Sequence, residues 1–207
     1  MPRPSSTLAD ELASRFRGLE GTRRRVEGLA LSGGVSRYDV ERVYEALFLS
    51  YFSLFEVFIE DLFIGLLVEG RGLIATRPGV RPRARISSHR VARDLVSNNR
   101  GYVEWLPYNR TEERAEVYFT GGRPFSALAA GQKSDIQTCG RIRNAIAHRS
   151  RYAKQVFETK VLVGLILHPR ERTPAGFLRS SLTGFPPQTR HEYYVTKLLG
   201  IARDLAV

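Results

Sequence analysis

The chain runs to 207 residues, 43% apolar and 26% charged, the composition of an ordinary soluble globular protein with room for one substantial hydrophobic core. Its 32 Lys plus Arg against 21 Asp plus Glu leave a net charge of +11, and among the basic residues only Lys133, Lys154, Lys160 and Lys197 are not Arg. So positive a surface attracts polyanions and makes nucleic acid the leading partner class, while a single cysteine, Cys139, excludes an internal disulfide and a cysteine-rich zinc site and fits a reducing cytoplasm.

The first residues, MPRPSSTLADE, hold no apolar core of the kind a signal peptide needs. Thr7 and Asp10 open a helical pattern in which Leu8, Leu12, Phe16, Leu19, Val26 and Leu29 recur at roughly helical spacing, and Gly33 with Gly34 stops it. Ser36 or Asp39 caps the next and longest helix, the central core element. Its apolar stripe (Tyr44, Leu47, Phe48, Tyr51, Phe52, Phe55, Phe58, Ile59, Leu62, Phe63 and Leu66) follows an i, i+3, i+4 pattern for about eight turns. Glu41, Glu45, Glu56, Glu60 and Asp61 interrupt residues 40–68, which never reach the roughly 18 uninterrupted apolar residues of a membrane span. Glu56, Glu60 and Asp61 read as a solvated edge of that helix, with Glu56 placed to support an arginine across the bundle.

Residues 70–85 form a Gly-, Pro- and Arg-rich connection carrying Arg71, Arg77, Arg81, Arg83 and Arg85; Arg90 and Arg93 follow, with no acidic residue between Glu69 and Asp94. Ser87 or Ser88 caps a short helix through Leu95. Asn109 followed by Glu112 predicts a helix to about Tyr118, and Gly121, Gly122 and Pro124 mark turns. Another helix starts at Ser134, its buried stripe Ile136, Cys139, Ile142 and Ile146. Residues 152–167 are helix-like or strand-like, and 169–187 are a loop-rich excursion. Thr189 and Glu192 are spaced as a capping box for a last helix from Arg190 to about Ala206. His89, His168 and His191 read as surface residues. There is no internal repeat and no Walker-type or GxGxxG phosphate loop. The expectation is a single all-α domain, with 1–35 carrying the N-terminal helix and 36–207 the rest.

The run Arg143-Asn-Ala-Ile-Ala-His148 places a guanidinium, a side-chain amide and an imidazole within six residues, a phosphate-binding cation beside a group that titrates near neutrality. On a regular helix Asn144 and His148 share a face, so the amide can hold the imidazole. Arg143 and His148 lie about 140° apart around the helix axis, so a site using both calls for a kink, a bridging ligand or a second copy across a two-fold axis. Arg141, Arg149, Arg151 and Lys154 surround the run, with no acidic residue between Asp135 and Glu158; together with Arg81, Arg83 and Arg85 they form a candidate RNA footprint. The plain alternative is a helix end whose His148 and Arg149 suit the helix dipole, amid a scattered basic surface.

The RNAIAH run, ending a late helix of a basic helical chain, resembles the Arg-x4–6-His signature of the HEPN superfamily. SYFSLFEVFIEDLF, residues 50–63, is similar to the long helix of its RiboL-PSP-HEPN branch. The resemblance covers residues 40–207, and only the short motif is specific. It implies a HEPN-like antiparallel helical bundle with one long central helix, working as a homodimer. The implied activity is a metal-independent endoribonuclease, a toxin or antiviral effector kept in check by an antitoxin or regulatory partner. Carried over residue by residue, His148 is the general base or acid, Arg143 stabilises charge on the scissile phosphate, and Asn144 orients His148 or the phosphate. Glu56 is the residue placed to pair with Arg143. Attack by the neighbouring 2′-hydroxyl gives a 2′,3′-cyclic phosphate and a 5′-hydroxyl, so no cofactor or metal is expected. Gly140 is a departure, because inside a helix it costs about 1 kcal/mol relative to Ala. The other reading is a non-catalytic HEPN domain that binds nucleic acid or docks a partner protein.

Overall fold

Gly33 lets the chain turn back after its first helix, α1 (Ser5–Leu31). Its backbone is left-handed, φ +75°, which costs glycine nothing. In that geometry the amides of Gly33 and Gly34 donate to the carbonyls of Ala30 and Leu29 at 3.2 and 2.8 Å, satisfying the frayed end of α1. Two residues on, Ser36 and Asp39 cap each other's backbone amides at 3.1 and 3.2 Å and start α2 (Arg37–Leu67). Every apolar position of the α2 stripe expected from the sequence is buried.

The computed structural model describes residues 4–68, 79–98, 102–148, 150–182 and 187–206. Beyond α2 these form α3 (His89–Ser97), α4 (Asn109–Tyr118), α5 (Ala130–Ala147), α6 (Arg151–Lys160), α7 (Pro174–Arg179) and α8 (Arg190–Ala206). A two-residue antiparallel pairing of β1 (Ser181–Leu182) with β2 (Gln188–Thr189) is the sheet content among the described residues. The architecture is all-α. None of these helices is long and apolar enough to cross a membrane. Tertiary contacts gather the chain into two compact units, with one end of α1, α2, α5 and α8 in each.

Unit 1 comprises Met1–Leu12, Phe55–Ile136 and Leu199–Val207. Its core is built around Phe63, whose ring meets those of Trp105, Phe119 and Phe125 at centroid distances of 4.9, 5.0 and 5.0 Å. Glu60, on the same helix, accepts from the Trp105 indole at 3.2 Å and pairs with Arg93 at 3.2 Å, while Asp61 adds a second contact to Arg93. Arg93 is thus engaged by carboxylates. The Ser5 hydroxyl donates to the Ala206 carbonyl, joining the first turn of α1 to the end of α8.

Unit 2 comprises Ala13–Leu54 and Gln137–Leu198. Here α1 and α2 form an antiparallel hairpin. Phe16 meets Tyr51 edge-on at 4.6 Å and Arg23 donates to the Tyr44 hydroxyl at 3.0 Å, so a step of seven residues along α1 is answered by seven backwards along α2. Two turns on one face are covered by such a step, which keeps the same sides in contact. Phe157 of α6 packs perpendicular to Phe177 of the buried α7, centroids 5.7 Å apart.

Several boundaries differ from the sequence expectation. Helix α5 begins at Ala130 rather than Ser134, because Gln132 reaches back to the Ala129 amide at 2.9 Å and provides the cap. Asn109 is the first residue of α4, its amide bonded to Glu113 instead of capping the helix. Residues 161–167 are neither helix nor strand: α6 ends at Lys160, and left-handed Gly164, φ +74°, turns the chain so that Val161 and Leu162 are buried while Val163 and Ile166 face outward. The excursion after Pro169 contains the capped, buried helix α7. The Thr189–Glu192 capping box forms as expected, at 2.8 and 3.2 Å.

Gly140 faces Phe52 within unit 2, and a β-carbon built there meets the ring at 3.6 Å, ordinary contact distance. Nothing therefore demands glycine. Gly140→Ala is expected to stabilise the protein by about 1 kcal/mol, raising Tm by about 2–4 °C in a thermal melt; an unchanged or lower Tm would contradict this.

Candidate catalytic site at the end of α5

Helix α5 carries its buried face on Ile136, Cys139 and Ile142, while Ile146 is only half-buried, so the apolar anchoring thins toward the C-terminal turn. The helix stops at Ala147. The His148 amide still donates to the Asn144 carbonyl at 2.9 Å, but His148 itself is outside the helix. Ser150, in extended conformation, then caps α6 by accepting from the Ala153 amide at 3.2 Å. His148 therefore sits at the exit of one helix, close before the start of the next.

That exit brings the three motif side chains together. One guanidinium nitrogen of Arg143, Nη1, donates to Asn144 Oδ1 at 3.1 Å and lies 3.5 Å from His148 Nε2. The two side chains meet despite the angle expected between their positions because the arginine arm is long and both reach past the last turn of α5. A bridging ligand or second copy is not needed for Arg143 and His148 to meet. The side-chain oxygen of Asn144 thus meets the arginine, where the helical spacing had pointed to the imidazole. A guanidinium has donors only. At this contact Nε2 of His148 can therefore only be the accepting side. Asn144 and His148 are exposed and Arg143 half-buried, so a bulky polymer can approach.

Compared with protein-family models, curated proteins and solved structures, the chain matches none.

Around the motif, Arg151 and Lys154 are exposed on α6, Lys154 4.0 Å from Glu158, and Arg141 is half-buried; Arg149 lies outside the described residues. Arg81, Arg83 and Arg85 are exposed in unit 1, where the Arg83 side chain also donates to the Phe119 carbonyl at 3.4 Å. Arg71 and Arg77 are outside the described residues. Glu56 is half-buried on the part of α2 that belongs to unit 1, and Arg143 belongs to unit 2. Among the described residues no three His, Cys, Asp or Glu side chains gather as a metal site requires.

Unit 2 holds a second polar constellation that the sequence reading passed over. Arg23, 7% exposed, is gripped by Glu20 at 2.8 and 2.6 Å, by Glu192 at 2.6 Å and by the Tyr44 hydroxyl. Burial raises the Glu20 carboxyl, but the hydrogen bonds from Arg23 and Arg24 outweigh it and hold Glu20 below the usual carboxylate range. Beside it, Arg179 pairs with Glu27 through two 3.1 Å bonds. The available signal was position: Arg23 lies seven residues after Phe16 and three before Val26, on the apolar stripe of α1.

His191 is also corrected. It is fully buried, not at the surface, with Tyr44 and Tyr51 edge-on at 5.2 Å and Phe48 at 6.4 Å, and neither ring nitrogen has a hydrogen-bond partner among the described residues. Burial, helped by the Arg23 charge, pushes its pKa down to about 4, against the opposing pull of Glu20 and Glu192. Unfolding releases it to about 6.5, so between those values the unfolded chain binds the extra proton and stability falls as pH is lowered. From pH 7 to pH 5 this costs about 2 kcal/mol. Urea denaturation at the two pH values should show that loss in the wild type and not in His191→Leu; an equal loss in both would assign the acid sensitivity elsewhere.

Proposed function

We propose that this chain is a metal-independent endoribonuclease of HEPN type, using Arg143, Asn144 and His148. The observation that carries the reading is the meeting of all three at an exposed helix end, with Nε2 of His148 3.5 Å from a guanidinium that Asn144 also holds. In the proposed reaction Nε2 takes the proton of the ribose 2′-hydroxyl, and the 2′-oxygen attacks the adjacent phosphorus. The bond to the 5′-oxygen breaks and that oxygen acquires a proton, leaving a 2′,3′-cyclic phosphate and a 5′-hydroxyl. Charge building on the phosphoryl oxygens is met by Arg143, whose planar fork suits two of them at once. Arg151 and Lys154, in the same unit as the motif, are exposed cations that would hold the RNA backbone. A homodimer fits the chemistry because two imidazoles let one take and the other return a proton. A toxin or antiviral role in the cytoplasm, restrained by an antitoxin or regulatory protein, is the biological setting of the proposal.

The test is incubation of the protein with RNA in excess EDTA. Cyclic-phosphate and 5′-hydroxyl ends are expected; cleavage that requires an added metal, or 3′-hydroxyl products, would sink the mechanism. The net charge of +11 also supports a second reading, a binding module without cleavage. A salt-sensitive RNA complex that yields no product would favour it.

A further inference from the structure

A cavity of about 500 Å³ opens in unit 1 between the end of α3, residues 102–104 and one face of α4. Small-molecule sites span roughly 300–1,000 Å³. Arg110 and Arg114 line it from positions one turn apart on α4. The guanidinium of Arg114 is fixed from two sides, lying 5.1 Å over the Trp105 ring and donating to the Glu104 carbonyl at 3.1 Å, which uses one of its five N–H groups. Arg110 pairs with the Glu104 carboxylate, and both are about half exposed. An ion pair so exposed contributes little and exchanges readily for a better anion. Tyr102, 68% exposed, presents an aromatic ring in the same wall, and Asn98, the left-handed C-cap of α3, brings an amide.

From these groups we infer that the cavity is a binding site for a nucleoside phosphate, either a free nucleotide or one nucleotide of a single-stranded RNA. The two guanidiniums take the phosphate, as the planar fork of arginine does in preference to a point charge. Tyr102 stacks on the base, a contact every base can make. Asn98 and the displaced Glu104 face its polar edge, the carboxylate accepting from an exocyclic amine. A lining this polar does not suit an apolar ligand. The site lies in unit 1 and the α5 motif in unit 2, so the inference goes beyond the ribonuclease proposal and stands without it.

Calorimetric titration of the full chain with adenosine 5′-monophosphate tests it, with inorganic phosphate as the control. A parallel titration with a short oligoadenylate uses the His148→Ala chain, so that cleavage does not consume the ligand. Saturable binding of at least one nucleotide ligand is expected, weakened about tenfold by Tyr102→Ala, the loss of one stacking contact, and also by Arg110→Gln. Both side chains are exposed enough for the fold to tolerate these changes, which circular dichroism verifies. Tighter binding of the mononucleotide identifies a free nucleotide as the source; tighter binding of the oligomer identifies RNA. Equal affinity for phosphate and nucleotide, indifference to both substitutions in folded protein, or no binding at all would overturn the assignment.

Discussion

His148→Ala should lower RNA cleavage by about 10²–10⁴-fold, the range a positioned general acid or base contributes. Folding should be unaffected, since the ring is exposed at the exit of α5. Arg143→Ala should produce a loss of similar order, and Arg143→Lys should rescue little, because an ammonium cannot span the Asn144 amide, the imidazole and a phosphate as the planar fork does. The informative variant is Asn144→Ala. The Asn144 oxygen accepts from Arg143 at 3.1 Å, so in the proposed mechanism it acts through the arginine. Asn144→Ala alone should slow cleavage less than Arg143→Ala, and in the Arg143→Ala background it should cost almost nothing more. Residues that work as a unit lose their effects non-additively. Single-turnover rates in EDTA, with cyclic-phosphate ends as the readout, measure all of this. Full additivity of the two substitutions would show that Asn144 has a task of its own, and unchanged rates in His148→Ala would remove the imidazole from the mechanism.

The second large effect belongs to stability. Arg23→Met should cost about 3 kcal/mol, the lower end of the range for breaking a buried ion pair. The lower end applies because the Glu20 and Glu192 side chains retain 23% and 33% of their exposure and so keep some hydration. That loss is a large share of the roughly 5–15 kcal/mol that holds a typical domain folded. Most of it is the penalty for a Glu192 carboxylate that loses Arg23 and a Glu20 carboxylate left with the exposed Arg24, not the intrinsic worth of the bridge. Neutralising them should therefore reverse it: Glu20→Gln and Glu192→Gln together in the Arg23→Met chain are expected to recover most of the stability. Glutamine at 192 can still accept from the Thr189 amide and so keep the α8 cap. Urea midpoints of the single and triple variants at pH 7 decide the matter. A loss below about 1 kcal/mol, or no recovery in the triple variant, would mean that Arg23 behaves as a surface pair despite its burial.

Most of the fold was legible because its signals are local. Ser36 with Asp39, Ser88, Ser150 and Thr189 with Glu192 each satisfy amides within three residues of themselves, so helix starts follow from short runs of sequence. The eight-turn stripe on α2 is equally local, and its burial matches the pattern throughout. Where the reading missed, a partner distant in sequence was at work. His191 looks like a first-turn surface residue until Tyr44, Phe48 and Tyr51 of α2 close over it. Arg23 looks like one arginine among many until Glu192 arrives from 169 residues away.

By itself the sequence determined that this is an all-α chain with a strongly basic surface, with a long central helix and an Arg-Asn-x3-His run near the end of a late one. Periodicity, capping and charge decide those features within one or two helical turns. Tertiary structure alone decided which polar groups are buried and which reactive groups touch. Burial depends on what other helices bring to the same place, as Glu192 does for Arg23. The encounter of Arg143 with His148 at 3.5 Å depends on how far the two side chains reach around the last turn of α5, which the angle between their positions does not report.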